Sequence, residues 1–142
     1  MTPDDLRVAG FLDARRALSF LEELPAGQSW VGDLSASADP DQALLQAVRL
    51  READPGLVDA LSRDERARRR VCAILGGSQW LGDYVIADPA RAAAINEDPG
   101  DPREVLYEAV GARTVGRGAL VVAREATADD LRAAYRRVLL HL

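Results

Sequence analysis

Gly77-Ser78, followed by Asp83 and Asp88, imitates a nucleotidyl-transfer signature, in which a Gly-Ser turn precedes two aspartates that hold metal ions. That chemistry needs carboxylates that converge, as alternate residues of a strand do, whereas Asp83 and Asp88 fall on a helical pattern whose spacing splays them apart. Metal binding is not expected there, and Asp88, placed before Pro89, suits a helix cap. Gly111 to Gly118, reading GARTVGRG, imitates the glycine spacing of a phosphate-binding loop. Arg117 and Gly118 stand where such a loop needs Lys and a hydroxyl, and a helical pattern precedes it, so it reads as a flexible connection.

The remaining reactive side chains also read as structural. Cys72 follows Arg68, Arg69 and Arg70, whose charges favour a thiolate, but it lies near the carboxyl end of a predicted helix, where the dipole opposes one. His141 has no neighbouring acid or nucleophile to orient it. The run from Arg66 to Arg70, like Arg132, Arg136 and Arg137, reads as a solvated face with local partners such as Asp64 and Glu65. Trp80 and Tyr84 read as core anchors rather than a ligand box. No catalytic, cofactor-binding or metal-ligating residue is assigned.

The elements that position these residues are helical. Five Asp-Pro steps punctuate the chain, at Asp39-Pro40, Asp54-Pro55, Asp88-Pro89, Asp98-Pro99 and Asp101-Pro102. An aspartate carboxylate accepts from first-turn amides, and proline tolerates the first helical position because its missing donor would be unpaired there. Asp39 with Gln42, Ser62 with Glu65 and Asp101 with Glu104 have capping-box spacing, and Thr127 with Asp130 imitates it.

Apolar periodicity predicts helices over 13–24, 40–53, 63–75, 79–87, 91–95 and 102–110, with a short one around Leu57, Val58 and Leu61. A polar loop through Trp30 and Gly32 is expected to join the first two, and Gly76 is expected to close a helix in the left-handed conformation. A last helix carries Leu131, Ala134, Tyr135, Val138, Leu139 and Leu142 along one face, and its apolar stripe suggests a chain cut from something longer. Between residues 112 and 126 the pattern turns Gly-rich and β-branched, which predicts one short extended segment near 113–124. The expected fold is an all-α, multi-helix bundle forming a single helical domain over 1–142.

Composition bounds the function. A hydrophobic fraction of 48% and a charged fraction of 29% are those of an ordinary globular protein. All 18 basic residues are arginine, and the net charge of −5 disfavours a protein whose main task is to hold nucleic acid. The single cysteine allows no internal disulfide, no export signal is visible and no apolar run approaches a membrane span, so cytoplasmic residence is expected.

Three blocks carry a family resemblance: ADPDQALLQAVRLREADP from Ala38, LVDALSRDERARRRVCAILGGSQWLGDYVIADP from Leu57, and LRAAYRRVLLHL from Leu131. In this order they resemble the amino-terminal region of actinobacterial bifunctional glutamine-synthetase adenylyltransferase/adenylyl-removing enzymes. Leu75-Gly76-x-Ser78 with Leu81, Asp83 and Pro89, and Ala134-Tyr135-Arg136-Arg137 with Leu139-Leu140, are its most specific parts. The resemblance implies a parent enzyme that uses ATP and magnesium to add AMP to a tyrosine of glutamine synthetase, removes it again, and answers to a PII signal protein. Its nucleotidyltransferase motif is expected after Leu142, which makes this chain a non-catalytic helical scaffold. The resemblance points to Trp80, Tyr84, Tyr135, Arg136 and Leu139 as a packing or partner surface, with the following nucleotidyltransferase domain as first partner. The alternative is a stand-alone helical interaction or regulatory module without enzymatic activity.

Overall fold

A computed structural model describes residues 1–95, 101–115, 119–122 and 127–140. The chain divides into two compact units, Met1–Asn96 and Glu97–Leu142. The architecture is helical, as the apolar periodicity predicts, with ten helices among the described residues and one small hairpin.

The first unit contains α1 (Pro3–Val8), α2 (Ala14–Glu23), a 3-10 turn (Gly27–Trp30), α3 (Val31–Ser35), α4 (Pro40–Ala53), α5 (Pro55–Arg63), α6 (Glu65–Gly77), α7 (Gln79–Ile86) and α8 (Ala90–Ala94). Aspartate caps start four of them: Asp13 accepts from the Arg16 amide, Asp39 from Gln42, Asp54 from Leu57 and Asp64 from Ala67. Such caps each stabilise by about 1 kcal/mol. Ser78 accepts from the Leu81 amide and starts α7 in the same way. At α6 and α4 the capping differs from the sequence expectation. Asp64, not Ser62, caps α6, and the Gln42 side chain turns inward to donate to the Leu75 carbonyl at 2.9 Å instead of closing a box.

α4 is the central element, packed against α2, α3, α5, α6 and α7. Accordingly it is buried on more than one stripe, through Ala43, Leu44, Ala47, Val48 and Leu50. Leu6, Phe11, Leu21, Val58, Val71, Leu75 and Val85 complete the core around it. Each such aliphatic or aromatic side chain contributes about 1.5–3 kcal/mol on leaving water.

The expected polar loop through Trp30 and Gly32 is instead the 3-10 turn running into α3. Trp30 is fully buried, and its indole Nε1 donates to the Pro25 carbonyl at 3.1 Å. A periodicity test misses these elements because each is too short to show a repeat. Gly76 also departs from expectation. It lies inside α6, where an added Cβ would stand 2.5 Å from Ser37 Oγ and 2.8 Å from the Asp39 carbonyl oxygen. Glycine is required there by the close approach of the α3–α4 connection, not by backbone handedness.

The second unit contains α9 (Pro102–Ala109), β1 (Ala112–Val115), β2 (Ala119–Val122) and α10 (Ala128–Leu139). Asp101 caps α9 by accepting from the Arg103 amide at 2.8 Å. Gly111 then turns the chain at φ +66°, a left-handed conformation that glycine adopts without the Cβ penalty. The extended segment expected near 113–124 is realised as antiparallel β1 and β2, with Ala112 opposite Val122 and Val115 opposite Ala119. Thr127 and Asp130 form a complete capping box at the start of α10, which packs on α9. Asp98-Pro99, Arg117, Gly118, His141 and Leu142 lie outside the described residues.

Candidate functional site

The aromatic surface of the first unit is built on α7. Ser78 starts that helix, and its stripe divides: Val85 faces the core while Trp80 is 50% exposed. The reading of Trp80 as a core anchor is thereby corrected. The rings of Trp80 and Tyr84 stack at 5.8 Å between centroids with 7° between planes. The Arg91 guanidinium lies 3.9 Å from the Tyr84 ring centre, and its Nε is 3.3 Å from Asp88 Oδ2. A cation over an aromatic face is worth about 0.5–1 kcal/mol at an exposed site, so the three side chains form a held platform. Asp88, expected as a helix cap, serves here as the carboxylate partner of Arg91.

Asp83 is engaged elsewhere. Arg49 Nη1 pairs with Asp83 Oδ1 at 2.6 Å and also donates to Gln46 Oε1 at 3.1 Å. Gln46 is buried beneath this pair, and Gly82 lets α7 approach it: an added Cβ would lie 3.0 Å from Gln46 Cδ. The two aspartates that imitate a nucleotidyl-transfer signature are thus held by different arginines, as their helical spacing anticipates.

The arginine run of α6 is not a uniformly solvated face. Arg68 is buried, and its Nε donates to buried Asp33 Oδ2 at 2.7 Å, while Nη1 donates to the Ser62 carbonyl at 3.1 Å. Its guanidinium carbon stands 5.8 Å from the Trp30 ring centre. Arg69 bridges Asp33 and Glu65, the latter being the local pairing expected from sequence, and Arg70 donates to the Ile95 carbonyl. One signal for Arg68 was available: it shares a helical face with Val71, Cys72 and Leu75. Cys72 is fully buried beside this network, as its structural reading requires. Burial, reinforced by the Asp33 charge and opposed by Arg68, pushes its pKa up to about 12.

In the second unit, Val138 turns inward whereas Leu131 and Tyr135 are 44% and 55% exposed. Arg136 and Leu139 are half-buried. The apolar face expected as one stripe therefore divides into a packed edge and an open edge bearing Tyr135. Among the described residues, no group of three or more His, Cys, Asp or Glu side chains is arranged to hold a metal ion. No helix among them is long and apolar enough to cross a membrane.

A capped helical bundle with an exposed aromatic platform defines a class of segment, not an activity. Three relatives narrow it, all named bifunctional glutamine synthetase adenylyltransferase/adenylyl-removing enzyme. The enzyme of Leifsonia xyli subsp. xyli is 32% identical over 145 residues, covering 94% of this chain and 14% of the enzyme. That of Streptomyces coelicolor is 37% identical over 149 residues with the same coverage, and that of Mycobacterium avium is 47% identical over 60 residues, 39% of this chain and 6% of the enzyme. The chain spans 14% or less of the length of these relatives. No family profile and no solved structure matches it significantly. The resemblance read from the sequence holds: this chain is similar to a segment of the bifunctional glutamine synthetase adenylyltransferase/adenylyl-removing enzymes.

Proposed function

We propose that this chain acts as a helical support segment of a glutamine synthetase adenylyltransferase/adenylyl-removing enzyme. In this reading it belongs to the amino-terminal, adenylyl-removing half and performs no chemical step itself. The observation that carries the proposal is the match of 94% of the chain to only 14% of the Leifsonia and Streptomyces enzymes. It is supported by the occupation of Asp83 by Arg49 and of Asp88 by Arg91, which gives both carboxylates structural work.

The proposed task is to position a nucleotidyltransferase domain, with the Trp80 and Tyr84 platform and the α10 edge through Tyr135, Arg136 and Leu139 as packing surfaces. Exposed aromatic rings suit this role because they bury large area at small entropic cost when a partner covers them. Magnesium and ATP would be held by that domain. Glutamine synthetase and a PII protein would be partners of the assembled enzyme, in the cytoplasm.

Replacing the matching segment of the Streptomyces coelicolor enzyme with this chain tests the proposal. The chimera is expected to add AMP to glutamine synthetase and to release it in the presence of phosphate. A folded chimera lacking both activities, or AMP release by this chain alone, would overturn the reading.

A further inference from the structure

We draw no further inference here: the strongest candidate, the hollow of the first unit lined by Phe20 of α2 with Leu44 and Leu45 of α4, carries nothing, because its polar groups Asp41, Gln46 and Arg49 are already engaged and nothing in the structure shows what covers its apolar floor.

Discussion

Asp33 on α3 and Arg68 on α6 form a buried ion pair at 2.7 Å, both side chains being less than a tenth exposed. The pair ties two helices far apart in sequence, and Arg68 also donates to a carbonyl at the end of α5. Asp33→Asn should leave the Arg68 charge buried without a counterion and destabilise the fold by about 3–5 kcal/mol. Urea unfolding followed by tryptophan fluorescence measures this. Arg68→Met combined with Asp33→Leu should cost far less than the sum of the single changes, because no lone charge remains.

Cys72 links stability to alkaline pH. Its thiol has an ordinary value of 9.0 and is pushed up to about 12 in the fold, chiefly by burial. The unfolded chain therefore loses this proton first. The contribution is fully present below pH 9.0 and is lost as pH rises towards about 12, at about 1.4 kcal/mol per pH unit. Cys72→Ala should remove that slope in denaturant titrations between these values. The native thiol should resist iodoacetamide at pH 8 and react in urea.

Gly76 sets the distance between α6 and the α3–α4 connection. Gly76→Ala places a methyl group 2.5 Å from Ser37 Oγ and 2.8 Å from the Asp39 carbonyl oxygen, and backbone does not yield as a flexible side chain can. The expected cost is about 1–3 kcal/mol, read as a lower thermal midpoint. Gly82→Ala, whose added Cβ has its nearest approach, 3.0 Å, to the Gln46 side chain rather than to backbone, should cost less.

Ala26 holds a left-handed conformation at φ +50° and ψ +42°, and its side chain is exposed. Ala26→Gly relieves a Cβ penalty of about 1–2 kcal/mol while loosening the unfolded chain by about 0.4–1 kcal/mol. A net gain below about 1.5 kcal/mol is expected in the same denaturation measurement.

Local rules were readable wherever one segment settles its own conformation. Asp39, Asp54 and Asp101 cap helices that begin with proline because the carboxylate and the free amides it serves are neighbours in the chain. Pro40–Ala53 appears with the bounds expected, and Thr127 with Asp130 closes the anticipated box. The family resemblance was legible for a similar reason, being carried by the order of contiguous blocks.

Side-chain fate on a shared helix face was less legible. Trp80 and Val85 lie on one apolar stripe, yet only the packing of α7 against α4 and α6 decides which of them is covered. Arg68 reads as one charge in a basic run until α3 brings Asp33 to it, and Gly76 reads as a terminator until the connection before α4 crosses it. Sequence alone therefore determined the helical elements, their caps and the kinship of the chain, since those depend on near neighbours and residue order. Tertiary structure decided burial and ion pairing, because each requires groups distant along the chain to meet in space.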